Sequence, residues 1–336
     1  MELEEDDSRK TIFVMIPSYR DSEAQHTIAC LFDTASHPER VSVGVCHQVE
    51  PGDDVFGPPR HAVRQIVLPA SAATGPCRAR RECQTLYAGE DFVLSLDSHM
   101  RLVSGWDTLL LAQWRLCRSR GALRPILTCY PPPYELPAVR DPASYSWRDA
   151  VLSSETRPPF LVFGGFGPEG MMRFKGRLLA QPSREPIACS FWVSGFAFSS
   201  GSVVKDVPYE DLPHLFFGEE TLMSARLWTH GYDFFCLGQN VCFHLWERNY
   251  RPTFFRMKNA EAQAASLSRV EAILTGEIVD PVYGLGTARP IEEYWKLCGV
   301  KWKEKTFVQP STSLKEDEFY KDPIEQVMAL LQARSK

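Results

Sequence analysis

The sequence predicts an α/β fold with a mostly parallel, doubly wound sheet and flanking helices. Short apolar runs alternate with helix-forming segments along the first third of the chain. Polar or turn-forming residues follow these runs, as in the loop PSYRD and the tripeptide DSH. Strands that alternate with helices in this order pair in parallel, and such sheets bind ligands at the carboxyl ends of their strands.

The strands of the first half follow from runs of β-branched and apolar residues. We expect strands at 11–16, at 40–48 and at 64–70, with Pro17 ending the first of them. The segment FVLSL, directly before DSH, predicts a fourth strand. The loops PSYRD and DSH are therefore expected at the same edge of the sheet.

The helices follow from amphipathic patterns and their end signals. We expect one helix around 24–35 and a second after the Gly-Pro turn of ATGPCRARRECQTLYAG, ended by Gly89. A later helix should run from about 218 to 230 and end at Gly231. The segments FRMKNAEAQAASLSRVEAIL and DPIEQVMALLQAR predict two more, the second at the C-terminus. Residues 130–186, rich in Pro and Gly, predict a loop-heavy insertion that shapes a cleft rather than a core.

Composition excludes several classes of protein. Hydrophobic residues make up 44% of the 336-residue chain, enough for a large core. The net charge of −5, without a long basic run, argues against nucleic acid as a partner. No apolar run is long enough to span a bilayer. The ten cysteines include no CxxC pair, so we expect mostly reduced core thiols.

Asp97 and His99 follow the fourth predicted strand. Residues two apart on an extended segment point to the same side, so both side chains can reach one ion. A hard divalent ion takes its remaining ligands from phosphate oxygens and water. The alternative is a turn-capping aspartate and an ordinary histidine, and the spacing alone does not choose. Trp106 and Asp107 come next and are interpreted as a packing residue and a helix cap.

His244 lies in the late strand NVCFHLWERNYRP. Alternation places Val241, Phe243 and Leu245 on one face and His244 on the other. The imidazole can therefore approach Asp97 from a distant part of the chain. A lone histidine in a strand is more often structural than a ligand, so this hypothesis also stays open.

Two sets of charged residues complete the candidates. Glu219 and Glu220 open a predicted helix, where the helix dipole favours carboxylates. The functional alternative is that one of them lies over a cleft and accepts hydrogen bonds from a ligand hydroxyl. Four arginines stand near predicted strand ends or on the second helix: Arg20, Arg78, Arg80 and Arg81. Guanidinium groups bind a pyrophosphate bidentately, whereas a solvated basic helix face is the alternative for at least two of the four.

Six segments occur in order along the chain: IPSYRD, GPCRAR, LSLDSH followed by WD, FFGEE with RLWTHGYD, CFHLW with RP, and YGLGTARP. As an ensemble they resemble the polypeptide N-acetylglucosaminyltransferases of glycosyltransferase family 60. That family includes cytoplasmic enzymes that attach GlcNAc to a hydroxyproline of an F-box ubiquitin-ligase adaptor, and relatives that initiate mucin-type O-glycans. The likeness runs from Thr11 to about Gly299.

The resemblance implies a glycosyltransferase-A fold, a nucleotide-sugar donor and a divalent metal, Mn²⁺ or Mg²⁺. Asp97 and His99 would occupy the two positions of the fold's Asp-any-Asp metal motif, and His244 would complete the site. The donor-binding residues that it implies are Pro17, Ser18, Tyr19, Arg20, Arg80 and Ser98. The first four would frame the uridine, and Arg80 would face the donor phosphates or the sugar. Glu219 or Glu220 would lie over the sugar.

The implied activity is that of a UDP-GlcNAc:polypeptide α-N-acetylglucosaminyltransferase that retains the anomeric configuration, with hydroxyproline as the expected acceptor. No covalent nucleophile stands out, so we expect front-face attack with the departing phosphate as base. One alternative is a nucleotide-sugar-binding pseudoenzyme or regulatory module, and another is a mucin-type Ser/Thr GlcNAc-transferase. A metal-dependent hydrolase would need a water-activating base near Asp97, and the sequence identifies none.

The expected partners are a UDP-sugar and a polypeptide acceptor, with an F-box ubiquitin-ligase adaptor as the example from the family. The oligomeric state stays open and includes a homodimer. No signal-peptide or anchor pattern stands at the start of the chain, which favours a cytoplasmic location.

The domain organisation follows from the extent of the resemblance. Residues 1–10 are expected to be a flexible acidic N-terminus, and residues 11–300 the catalytic domain. Within it, 11–130 would be the nucleotide-binding half and 131–255 the half for metal and acceptor. Residues 301–336 would form a C-terminal extension that carries the terminal helix.

Overall fold

The computed structural model describes residues 9–53, 62–138, 141–254, 257, 259–309, 314–315 and 318–320. The strands are, in chain order, β1 (Ile12–Tyr19), β2 (Val41–Val49), β3 (Val63–Pro69), β4 (Phe92–Leu96), β5 (Met100–Leu102), β6 (Pro125–Thr128), β7 (Tyr134–Glu135), β8 (Val151–Leu152), β9 (Phe160–Phe166), β10 (Met172–Arg177), β11 (Ile187–Cys189), β12 (Phe196–Ser200), β13 (Asp233–Cys236), β14 (Cys242–His244), β15 (Val300–Lys301) and β16 (Thr306–Phe307). The helices are α1 (Glu23–Thr34), α2 (Pro76–Thr85), α3 (Trp106–Ser119), α4 (Val203–Asp206), α5 (Glu219–Thr229), α6 (Ala260–Leu274) and α7 (Ile291–Cys298).

An eight-stranded sheet organises the described residues, in the order β11-β13-β6-β12-β4-β1-β2-β3. Strands β1 to β4, β6 and β13 run in one direction. The strands β12 and β11 run against them. The prediction of an α/β fold with a mostly parallel sheet is confirmed.

The central strand β1 shows why the early apolar runs lack a polar face. Ile12, Val14 and Ile16 belong to the core cluster that contains residues of α1 and α3. Phe13 and Met15 point to the other face and pack with residues of α2. Because helices cover both faces of the sheet, every side chain of this run is apolar and buried.

The strand β1 does not end at Pro17, so that prediction is wrong. It continues to Tyr19, paired in parallel with β2 as far as Gln48. Pairing with β4 stops at Met15, so the chain beyond it has a strand on one side only. Proline is tolerated where one edge of the strand is open. The extension carries Ser18 and Tyr19 to the carboxyl edge of the sheet.

The insertion at 130–186 is more ordered than predicted. It holds the antiparallel hairpin of β9 and β10, whose apolar side chains lie in the largest core cluster. Phe160, Leu161, Met172 and Phe174 are all buried there. The prediction that this segment contributes no core is therefore wrong. The segment FLVFGGF contains two adjacent glycines near its end, which hid the strand period in the sequence.

The predicted helices at 24–35 and at 218–230 are confirmed as α1 and α5, with ends shifted by about one residue. The helix α2 ends at Thr85, four residues before Gly89. Gly89 instead occupies a left-handed conformation with φ 102° in the loop before β4.

Trp106 and Asp107 open α3. Trp106 is fully buried, as expected of a packing residue. Asp107 does not cap its own helix, so that interpretation is wrong. Its two carboxylate oxygens accept hydrogen bonds from the backbone N–H groups of Ser36 (2.8 Å) and His37 (2.9 Å), beyond the end of α1. The carboxylate ties two helices together instead.

All ten cysteines are free thiols, and Cys189 is the one that is half-buried rather than buried. The expectation of reduced core thiols is confirmed. Within the described parts of the chain, each helix is too short or too polar to cross a bilayer. Residues 1–8 of the predicted acidic N-terminus and the predicted helix DPIEQVMALLQAR lie outside the described residues.

Candidate active site

Asp97, His99 and His244 come together at the carboxyl end of β4, and we call them the ligand cluster. One ligand atom from each lies within 4.8 Å of the others. His244 Nε2 is 3.3 Å from Asp97 Oδ2, and the two imidazole rings are 4.6 Å apart between centroids. No second group of three His, Cys, Asp or Glu side chains with this spacing occurs in the part of the chain that the structure describes.

The pairing of β5 with β14 explains how distant residues meet. The strand β5 begins directly after His99 and pairs antiparallel with β14, so that Met100 lies opposite His244. The backbone N–H of Leu245 also donates to the carbonyl oxygen of His99 (3.1 Å). The structure thus brings the third predicted ligand beside the first two.

Gly195 lies just before β12 and was missed in the sequence. The backbone N–H of Asp97 donates to the carbonyl oxygen of Gly195 (3.0 Å). A Cβ atom on Gly195 would lie 2.6 Å from Asp97 Oδ2, a distance that real Cβ atoms essentially never show. A side chain at this position would therefore displace the carboxylate. The glycine leaves no signal in sequence, because the contact depends on an antiparallel neighbour strand.

Arg80 is buried and contacts Asp97 from the interior of the protein. Its guanidinium donates from Nη2 to Asp97 Oδ1 (3.1 Å) and from Nη1 to Ser95 Oγ (2.9 Å). Its Nε is 3.0 Å from Glu219 Oε1, an ion pair without hydrogen-bond alignment. These contacts hold Asp97 in place. The expected contact of Arg80 with donor phosphates or sugar stays a prediction.

The protonation states of Asp97 and His244 suit a metal ion. Burial raises the pKa of Asp97, but the hydrogen bond with His244 and the charge of Arg80 outweigh it and hold this pKa well below its usual range. Burial lowers the pKa of His244 to about 4, so its ring is neutral at pH 7. His244 Nδ1 is buried and lacks a hydrogen-bond partner. An ionised carboxylate with neutral imidazole is the donor set that a divalent cation requires, so the residues fit the expected metal.

Glu219 and Glu220, adjacent in sequence, have different surroundings. Glu219 is 4% exposed and binds Arg80 and the hydroxyl of Tyr209 (3.0 Å). Glu220 is half-buried and accepts from the backbone N–H of Ser194 (3.0 Å). Burial and the neighbouring carboxylates raise the pKa of Glu220 to about 7. Glu219 is thus committed to the protein interior, whereas Glu220 retains access to the site.

The predicted donor-binding residues of the PSYR segment lie at the end of β1. Ser18 is buried, and the hydroxyl of Tyr19 donates to Met257 Sδ (3.0 Å). Arg20 has φ 47° and binds Asp53 with two hydrogen bonds, of 2.8 and 3.0 Å. Their predicted contacts with a uridine stay predictions.

A cavity of about 210 Å³ lies beside this segment. It is lined by Arg20, Asp21, Ser22, His47, Val49, Gly52, Asp53, Tyr250, Arg251 and Pro252. The sequence did not assign Asp21, Asp53, Tyr250 or Arg251. Asp21 carried a signal, since it follows β1 as Asp97 follows β4, but the others become neighbours only through the fold.

Comparison with known proteins adds a family. The model of the family Glycosyltransferase (GlcNAc) matches residues 11–59 and 58–304. Comparison with curated proteins found no match. The crystal structure of GalNAc-T7 with UDP, GalNAc and Mn²⁺ is similar at a TM-score of 0.53 and 14% identity, over 80% of this chain and 48% of that chain. The structure of S. aureus TarS 1-349 in complex with UDP-GlcNAc is similar at a TM-score of 0.46 and 12% identity, over 81% of this chain and 68% of that chain.

The chain thus spans about half the length of GalNAc-T7. At this identity the likeness concerns the fold alone. The glycosyltransferase-A fold expected from the sequence is confirmed.

Proposed function

The chain belongs to the Glycosyltransferase (GlcNAc) family, and we propose that it transfers GlcNAc from UDP-GlcNAc to a hydroxyl group of a polypeptide, with hydroxyproline as the acceptor. The observation that carries the proposal is the ligand cluster at the carboxyl end of β4, next to a cavity with arginines on its wall. Ligands of doubly wound sheets bind at this edge. Membership of glycosyltransferase family 60, an F-box adaptor as acceptor and a cytoplasmic location are parts of the same proposal.

The donor would lie between the cavity and the ligand cluster. Arg20 and Arg251 line the cavity, and each is paired with a carboxylate. Arg248 is exposed, and its charge acts on both His244 and Asp97. We infer that Arg248 faces the diphosphate, because it combines exposure with proximity to the ligand cluster. The expected uridine contacts of Pro17, Ser18, Tyr19 and Arg20, and the donor role of Ser98, are retained in this arrangement.

Asp97, His99 and His244 would hold the divalent ion. Two imidazoles and one carboxylate favour Mn²⁺ over Mg²⁺, because Mg²⁺ takes mostly oxygen ligands. When bound, the ion would neutralise negative charge on the departing diphosphate. One structure of the same fold supports the choice of ion, since that of GalNAc-T7 contains UDP, GalNAc and Mn²⁺.

Glu220 is the glutamate that we assign to the sugar. Glu219 is already neutralised by Arg80, and its side chain is buried. Glu220 Oε1 accepts from Ser194, which leaves the second oxygen with a single long contact, the 3.4 Å hydrogen bond from the hydroxyl of Tyr130. A sugar or acceptor hydroxyl can donate to that oxygen. We further propose transfer with retention, through front-face attack with the departing phosphate as base.

The domain division also remains part of the proposal. The ligand cluster draws Asp97 and His99 from residues 11–130 and His244 from residues 131–255. The first half would then supply most of the donor site, and the second half the acceptor side with Glu220.

Incubation of the chain with Mn²⁺ and a panel of UDP-sugars tests the proposal. We expect UDP release with UDP-GlcNAc, above that with UDP-GalNAc or UDP-glucose, and loss of the signal with EDTA. Peptides that carry hydroxyproline, and matched peptides with proline or serine, test the acceptor by mass spectrometry. Absence of turnover with every UDP-sugar, with or without Mn²⁺, would contradict the proposed function. Modification of the serine peptide alone would favour the mucin-type alternative.

A further inference from the structure

Asp21, at the carboxyl end of β1, contacts one of the proposed metal ligands. Its side chain is fully buried. Asp21 Oδ2 is 2.8 Å from His99 Nδ1 and accepts a hydrogen bond from Ser98 Oγ (2.6 Å). The Nε of Arg251 is 3.2 Å from the same oxygen. Asp21, Ser98, His99, Tyr250 and Arg251 together are called the open cluster.

The second oxygen of Asp21 anchors the carboxylate to its surroundings. Asp21 Oδ1 accepts from the backbone N–H of Glu23 (3.0 Å), at the start of α1, and from the hydroxyl of Tyr250 (2.9 Å). Oδ1 is therefore used for anchoring, whereas Oδ2 faces the imidazole together with Ser98 and Arg251. A side chain held at both ends in this way has little freedom to move.

The charge of Asp21 decides which nitrogen of His99 carries the proton. Besides His99, four donors face the two oxygens of Asp21: the backbone N–H of Glu23, the hydroxyls of Ser98 and Tyr250, and the Nε of Arg251. A carboxyl group that is surrounded by donors and a cation is held in its ionised form. An ionised carboxylate can only accept, so His99 Nδ1 must donate to it. Nε2 then keeps its lone pair. Histidine ligands of metals are oriented in this way by carboxylates.

We propose that Asp21 is a positioning residue that fixes His99 in the Nδ1–H form and presents His99 Nε2 to the divalent ion. The inference rests on the proposed function, because it requires a metal in the ligand cluster. It also gives the cavity a direct connection to that cluster, since Arg251 and Tyr250 line the cavity and hold the same carboxylate. Asp21 itself does not touch the ion in this scheme.

The tautomer is measurable on the wild-type protein without metal. ¹⁵N NMR of the histidine-labelled full chain at pH 8, with His99→Gln to assign the signals, should show His99 with its proton on Nδ1. A proton on Nε2 would overturn the inference whatever any variant does.

The consequence for metal binding is tested with Mn²⁺ alone, by EPR titration of the full chain. Asp21→Asn keeps the size of the side chain but replaces a charged acceptor with a weaker neutral one. We expect its Mn²⁺ affinity to fall by about 10- to 100-fold. Asp107→Asn is the matched control, because Asp107 is another buried aspartate whose carboxylate accepts hydrogen bonds. Its donors are the backbone N–H groups of Ser36 and His37, which lie outside the ligand cluster. It should keep wild-type affinity.

The outcomes separate this inference from the proposed function. Unchanged Mn²⁺ affinity in folded Asp21→Asn would overturn the positioning role and leave the proposed function standing. A wild-type chain that binds no Mn²⁺ would overturn both. Thermal unfolding of each variant shows whether a loss of Mn²⁺ affinity reflects a loss of fold. If Asp21→Asn does not fold, the NMR measurement of the His99 tautomer in the wild-type protein tests the inference instead.

Discussion

Asp21 and Glu23 are two residues apart, both are buried, and both bind an arginine and a tyrosine hydroxyl. Asp21 belongs to the open cluster. Glu23 belongs to a second group, which we call the closed cluster and which consists of Glu23, Arg101, Tyr134 and Tyr145. Similar chemistry serves two purposes in these clusters. In the open cluster one partner, His99, also belongs to the ligand cluster, whereas no member of the closed cluster does.

The closed cluster is satisfied by groups of the protein: besides the bonds among its members, Arg101 donates to the backbone carbonyls of Met100 (3.0 Å) and Trp147 (3.2 Å). Glu23 Oε2 accepts from the hydroxyl of Tyr134 (2.9 Å) and pairs with Arg101, while Glu23 Oε1 accepts from the hydroxyl of Tyr145. The guanidinium of Arg101 also stacks on the ring of Tyr134 at 4.5 Å. These bonds join α1 to the insertion. A buried carboxylate with an arginine is therefore no sign of function, and what distinguishes the open cluster is its contact with a residue of the ligand cluster.

Removal of Arg101 should produce the largest effect on stability. Arg101→Met leaves the Glu23 carboxylate buried without its ion-pair partner, so we expect the free energy of unfolding to fall by about 3–5 kcal/mol. Urea denaturation measures it. Arg148→Met, which breaks the exposed pair with Asp33, should cost less than about 1 kcal/mol. Equal effects of the two variants would contradict the contrast between the clusters.

Removal of His244 should have the next largest effect, on activity rather than on stability. His244→Ala deletes one of three proposed ligands, so we expect at least a roughly 100-fold loss of Mn²⁺-dependent UDP release, with the fold intact. His26→Ala is the control, since His26 stacks on Tyr145 beside the closed cluster. It should keep the Mn²⁺ affinity. Full activity in His244→Ala would show that the third ligand is wrongly assigned.

The same contrast recurs at the start of α5. Glu219 is buried against Arg80, whereas Glu220 is half-buried and has one oxygen with a single long contact. At pH 8, above its pKa of about 7, Glu220 is mostly ionised. Glu220→Gln then removes a charged acceptor of one hydrogen bond, which corresponds to a fall in kcat of about tenfold. Steady-state kinetics with UDP-GlcNAc measures it. Glu293→Gln alters an exposed glutamate in the first turn of α7 and should change nothing. Wild-type kcat in Glu220→Gln would mean that Glu220 does not contact the sugar or acceptor.

The smallest effect concerns the pH dependence of stability. The pKa of Glu220 rises from 4.5 to about 7 on folding, so its protonated form stabilises the folded state fully below about pH 4.5. This contribution is lost as pH rises through 7. Between pH 5 and pH 8 the metal-free wild type should therefore lose stability relative to Glu220→Gln, on the order of 1 kcal/mol. Chemical denaturation at both pH values measures the difference, and a constant difference would place the pKa of Glu220 near its ordinary value.

Local patterns predicted the sheet well and its edges less well. The continuous apolar run of β1 and the periodic pattern of α5 are properties of short segments, so they are readable without tertiary structure. Pro17 was wrongly interpreted as the end of β1, because the effect of a proline on a strand depends on which neighbouring strands are present. The hairpin of β9 and β10 was missed because Gly and Pro dominate the surrounding composition.

The sequence by itself determined the residue types of the site and the edge at which they lie, because a tripeptide after a buried strand projects from the carboxyl end of the sheet. Only the tertiary structure decided that His244 stands beside Asp97, through the register of β14 on β5, and that Asp21 supports His99. It also separated Glu219 from Glu220, since the ion pair of Glu219 with Arg80 joins α5 to α2, two helices that are far apart in the chain. These are contacts between residues far apart in the chain, and no local pattern encodes the distance between two such side chains.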